Sequence, residues 1–196
     1  MTRGRLLAGT AILAAGVAVW WILFIGAPKL YRVRPQPEAA QPQPTETTAA
    51  QRTITATLFF IGQDGMSLET AQREVPFGDP IDEQARRIIE AQIAPAPDPL
   101  ASAIPAGAKL RALYVSERGE AFVDFTTEIT TQHTGGALDE LFTVYAVVNA
   151  LTVNLPAITR VQILIDGKEA DTLAGHVDLR RPLSKNLKWI KTDKPT

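Results

Sequence analysis

Two carboxylates stand where acid–base chemistry could be done. Asp124 lies in the run Ala121-Phe122-Val123-Asp124-Phe125, and Asp166 in Ile165-Asp166-Gly167. Glycan cleavage needs two carboxyls roughly 5–9.5 Å apart across a cleft, so this pair defines a peptidoglycan-hydrolase reading. The plainer reading is structural. Asp124 sits on a strand opposite the apolar face of Ala121, Val123 and Phe125, where its oxygens can satisfy loop amides, and Asp-Gly after a strand is foremost a turn signal. His176 and Asp178 lie two apart, on the same side of a strand if one forms. With Ser184 they make a nucleophilic triad on paper, but no Gly-x-Ser-x-Gly elbow supports it. His133 could bind a metal, yet no second ligand stands at i+3 or i+4. Gly135-Gly136 ahead of a helix offers amides to an anion, without the Lys-Ser/Thr continuation of a nucleotide loop. Lys185, Lys188, Lys191 and Lys194 recur every three residues around Trp189, for contact with anionic lipid or cell-wall polymer, or as a solvated end. No catalytic residue, cofactor-binding residue or metal ligand is assigned, and a non-enzyme is expected.

Composition agrees. The 196 residues contain no Cys and two His, which excludes disulfide scaffolds, thiolate metal sites, cysteine nucleophiles and multi-histidine centres. Residues 52–196 carry 15 Lys+Arg against 19 Asp+Glu, a poor balance for binding nucleic acid, and none is expected as a partner.

Leu6 to Ile25 (LLAGTAILAAGVAVWWILFI) holds Thr10 as its one clearly polar side chain. At ~1.5 Å per residue it would span the ~30 Å of a bilayer core, and it reads as an uncleaved transmembrane helix over 6–25. Trp20 and Trp21 fit an aromatic belt. Arg3 and Arg5 on one side nearly balance Lys29, Arg32 and Arg34 on the other. The short 1–5 terminus and the long C-terminal part favour an N-in, C-out protein of the cytoplasmic membrane. Residues 26–51 are a basic flank and a Pro/Gln/Ala/Thr linker. Its Pro35–Gln51 portion cannot bury apolar surface and reaches roughly 50 Å if extended.

What must position the candidate residues is a domain over 52–183, followed by a Lys-rich tail at 184–196. Thr53 to Ile61 reads as a strand and Ala71 to Phe77 as its short partner. Asp79 reads as a helix N-cap with Pro80 first in the helix, and Ile81, Ala85, Ile88, Ile89 and Ile93 form one apolar stripe. Leu110–Val115 and Ala121–Phe125 make a hairpin around Glu117-Arg118-Gly119. Gly135-Gly136 opens a second helix, with Leu138, Leu141, Phe142, Tyr145, Val148 and Leu151 or Thr152 on one side. Asn154 is placed at its left-handed end, before Pro156. Arg160–Ile165 is a strand, and Thr172–Leu179 a last one. The expected fold is α/β (α+β): two helices packed on one mixed sheet.

Five stretches carry a family resemblance. Ile104-Pro105-Ala106-Gly107-Ala108-Lys109-Leu110 and Gly119-Glu120-Ala121-Phe122-Val123-Asp124-Phe125-Thr126 come first. They are followed by Ala150 to Pro156, Val161 to Gly167, and Leu173-Ala174-Gly175-His176-Val177-Asp178-Leu179. In this order they resemble the GerMN domain of sporulation and spore-germination proteins, over about 52–183. There is one copy here rather than two, and Thr126 stands where Ser is usual. The resemblance implies a fold similar to ring-building motifs, an extracytoplasmic membrane-tethered setting and no established catalytic role. The expected function is a non-catalytic binding or assembly module of the cell envelope, contacting a protein partner or peptidoglycan and capable of self-association. The alternatives are the carboxylate-pair enzyme and a ring-forming structural subunit.

Overall fold

The computed structural model describes residues 52–191; the helix expected at 6–25, the 26–51 linker and the chain beyond Lys191 lie outside them. Thr53–Ile61 (β1) runs as expected and buries Ala56, Leu58 and Phe60 on one face. A turn at Gly62–Gly65 returns it as Leu68–Pro76 (β2), paired antiparallel from Ile61 opposite Leu68 to Thr53 opposite Pro76. The second strand starts three residues before the expected Ala71. Its length is set by pairing with β1 rather than by its own apolar content.

Ile81–Ile93 (α1) buries Ala85, Ile88 and Ile89 completely, with Ile81 and Ile93 packed at the edge of the core. Its start differs from expectation. Pro80, not Asp79, holds the capping position, after a cis Asp79–Pro80 bond, and no side chain caps the first turn. Instead Pro80 O accepts from Glu83 N, and Gln84 Oε1 accepts from Gly78 N at 2.8 Å. At the far end the Arg73 guanidinium donates to Ala91 O and Pro95 O, a cation at the negative pole of the helix.

Leu110–Val115 (β3) and Glu120–Phe125 (β4) form the expected hairpin. Gly119 at its turn has φ +75°, and a Cβ there would stand 2.3 Å from Ala157 O, so only glycine fits. A short helix, Glu128–Thr131 (α2), and the long Ala137–Asn154 (α3) then cross over to Arg160–Ile165 (β5), which pairs parallel to β4. Lys168–Glu169 (β6) and Leu183–Ser184 (β7) both pair antiparallel with β5.

Three expectations are corrected. The strands make two sheets, β1–β2 and β3-β4-β5-β6 with β7 on β5, not one. The outer edge of β1 is closed by amides: Asn154 bonds Thr57 N and O, Gln92 bonds Phe59 N and O, and Ala101 backbone bonds Ile61. From Thr57 to Ile61 the outward ladder groups of β1 are therefore met within the domain. Second, α3 is buried on nearly every side, because it touches β1, α1, β5 and β7 at once. Asn154 is its last helical residue, turned to β1 rather than left-handed. Third, Thr172–Leu179 is not a strand but a looping segment. Among the described residues the buried apolar core forms one cluster from Ala56 to Leu179, so residues 52–196 carry what they need to fold.

Candidate binding cleft

A cleft of about 650 Å³ opens where the end of α1, the 102–108 turn and the start of α3 meet. Ile61, Ile93, Ala103, Ile104 and Ala108 supply apolar lining, and Ser102, Gln132, His133, Thr134 and Asp139 stand among the polar groups. The run Ile104-Pro105-Ala106-Gly107 forms one wall. It is shaped by Ala108 N donating to Pro105 O, by Gly107 at φ +87°, and by Ser102 Oγ, which donates to Ile104 O and accepts from Ile104 N.

That wall is tied to α3 through one hydrogen-bond chain. Gly135 N donates to His133 Nδ1 at 2.9 Å, which leaves the proton of the neutral ring on Nε2. Nε2–H then donates to Thr143 Oγ1 at 3.1 Å, and Thr143 Oγ1–H donates to Ala103 O at 2.6 Å. His133 therefore spends both nitrogens on structure and has none left for a metal. Among the described residues no group of three His, Cys, Asp or Glu could hold one. The Gly135 amide, considered for an anion, is spent on His133.

The other sequence candidates are dispersed. Asp124 and Asp166 do come together, but on Arg111: Nη1 donates to Asp124 Oδ2 at 2.6 Å, and Nε lies 3.7 Å from Asp166 Oδ1. Gly167 N takes the other Asp124 oxygen at 2.8 Å. With both oxygens engaged, Asp124 secures the tight Asp166-Gly167 turn between β5 and β6, where the residues have φ 49° and 75°. His176, Asp178 and Ser184 form no relay. His176 Nδ1 meets Glu140, Asp178 makes a two-pronged bond to Arg180 that holds its carboxyl well below the usual range, and Ser184 lies in β7 opposite Arg160.

Glu140, an acidic residue in the first turn of α3, shapes the segment after β6. It is fully buried, and its carboxylate accepts from Leu173 N and His176 N, each at 2.8 Å. Burial pushes its pKa up. The backbone amides of Ala174, His176, Val177 and Leu173 outweigh this and hold it below the ordinary value. This is why 172–179 loops instead of pairing. Glu140, Asn149, Gln84, Gln92 and Thr143 share one legible signal, a polar side chain set among apolar helix positions.

Three solved structures resemble the chain. A Clostridium perfringens chain assigned as a lipoprotein is 24% identical, with TM-score 0.49 over 68% of this chain and 88% of that one. The tandem GerMN domains of the sporulation protein GerM from Bacillus subtilis give TM-score 0.51 at 20% identity, over 69% of this chain and 46% of that one. The first GerMN domain of the same protein gives 0.50 at 20%, over 68% and 96%. At these identities the likeness to GerM is one of fold. No curated protein matches. Residues 57–171, more than half of the chain, match the family described as Germane: sporulation and spore germination. The chain belongs to the Germane family, and its folded part is a GerMN-type domain.

Proposed function

We propose that the protein is a non-catalytic binding module of the cell envelope, held at the outer face of the cytoplasmic membrane by a helix at 6–25 and a tether at 26–51. The observation that carries the reading is the cleft itself, apolar inside with a few polar groups around it, the usual form of a recognition site. Its wall is braced by His133 and Thr143, so the shape exists before a partner arrives. Such a lining suits an apolar side chain of an envelope protein better than a bare glycan, which offers mostly hydroxyls.

The test uses residues 52–196 and the variant Ala106→Trp, which fills the cleft from its exposed wall. In the anchored protein, cross-linking in membranes should give an adduct that Ala106→Trp abolishes. An adduct indifferent to the variant sinks the cleft as the contact. Retention of residues 52–196 on washed peptidoglycan at both low and moderate salt would replace the protein partner by the wall. Release of soluble fragments from that peptidoglycan, lost in Asp124→Asn, would revive the enzyme reading. Self-association is a second reading, favoured by β3, an edge strand of the larger sheet with Arg111, Ala112 and Tyr114 exposed. A ladder of self-adducts would support it, and a clean monomer would count against it.

A further inference from the structure

The charge of the domain is unevenly laid out. Residues 52–179 hold nine Lys+Arg against eighteen Asp+Glu, whereas 180–191 hold five Lys+Arg and no acidic residue. This basic stretch is not loose. Asn149, fully buried in α3, spends its whole amide on one backbone position: Nδ2 donates to Asn186 O at 2.9 Å, and Oδ1 accepts from Asn186 N at 3.0 Å. Three and five residues on, Trp189 O accepts from Leu68 N and Lys191 N donates to Leu68 O, both at 2.8 Å, against the outer edge of β2. Between the clamps Ile190 N donates to Leu187 O, which closes a turn with Lys188 and Trp189 at its apex.

What the turn presents is unusual for a surface. Leu187 is 47% exposed and Trp189 38%. Met66, two residues before the β2 residue that grips the segment, is 69% exposed. Lys185 and Lys188 are exposed beside them. We infer that the clamped turn Leu187-Lys188-Trp189, with Lys185 and Met66, is a docking surface for an anionic lipid bilayer. Cations alone would serve any acidic macromolecule. Leucine and indole on a clamped cationic turn suit the headgroup layer, where the ring sits at the interface while the lysines meet phosphates. The acidic remainder of the domain is repelled by the same surface, so contact is confined to this end.

The inference goes beyond the cleft and does not need the 6–25 helix, because its test omits that helix and the two readings fail separately. Trp189 is the sole tryptophan of residues 52–196, the others being Trp20 and Trp21, so its fluorescence reads this turn alone. Purified 52–196 is titrated with vesicles of phosphatidylcholine, with or without phosphatidylglycerol. Expected on the anionic vesicles are a blue shift and protection from acrylamide, both weakened by salt. The double variant Lys185→Gln, Lys188→Gln changes only exposed side chains and should bind about 30-fold more weakly, from about fivefold per cation near a charged bilayer. Leu187→Ser should reduce the blue shift. An unchanged spectrum on anionic vesicles overturns the inference. So does undiminished binding of the double variant, or equal binding to soluble polyglutamate, which would make the partner an acidic polymer.

Discussion

Glu140 shows how one side chain can shape a segment. Its carboxylate gathers amides from 173–177, and the lowered pKa records that these bonds stabilise the ionised form. Because the folded value lies below the ordinary 4.5, the unfolded chain binds this proton more readily. The contribution to stability is therefore present above about pH 4.5 and lost as pH falls through the folded value. We expect Glu140→Gln to cost about 2 kcal/mol near neutral pH, since one amide hydrogen would then face a donor. The variant should also lose part of the acid-side slope in a series of urea melts from pH 3 to pH 7, using those two values as about the ends of the range. Equal slopes in variant and parent would show that Glu140 binds its proton equally well folded and unfolded, and would sink this account. The charge was plain in the sequence, as was its place in the first turn of α3. Its partners lie more than thirty residues downstream and could not be read from spacing.

Elements show the same division. The stripe on α1, the β3–β4 hairpin and β5 follow from periodicity and turn chemistry, because each is set by contacts close in sequence. The extent of the sheets does not. Thr57 and Phe59 offer N–H and C=O groups along β1, and Asn154 and Gln92 close them from two different helices. Gln92 is itself fully buried and meets Phe59 on both sides of its amide. Replacing it by Leu leaves a buried donor and acceptor unmet, and should cost about 2–4 kcal/mol. Hydrogen exchange distinguishes this from a general loosening: the Phe59 amide should lose protection more than those of β4. Uniform loss across both sheets would argue against an edge-closing role.

At the scale of the molecule, the proposed arrangement sets a folded module on a membrane by an anchor, a tether and a basic turn. Protease added outside intact spheroplasts should digest residues 52–196 if the proposed topology is right. Full protection would reverse it. In that proposal the tether and the turn would act on the same distance. A linker that reached roughly 50 Å would allow the domain to stand off, while Leu187-Lys188-Trp189 would draw one end back to the bilayer.

By itself the sequence determined the family through five short runs, the extent of β1, β3 and β5, the apolar stripe of α1, and the composition that excludes thiolate and multi-histidine chemistry. Those features depend on residue type and near spacing, which a linear string displays. Only the tertiary structure decided that Asp124 and Asp166 meet on Arg111, that His133 braces a cleft wall, and that His176 faces Glu140. It likewise decided that Asn149 and Asn154 spend their amides on backbone far from them in the chain. A buried polar group must find a partner, but which partner depends on what the packed core brings within about 3 Å, and sequence spacing carries no such distance.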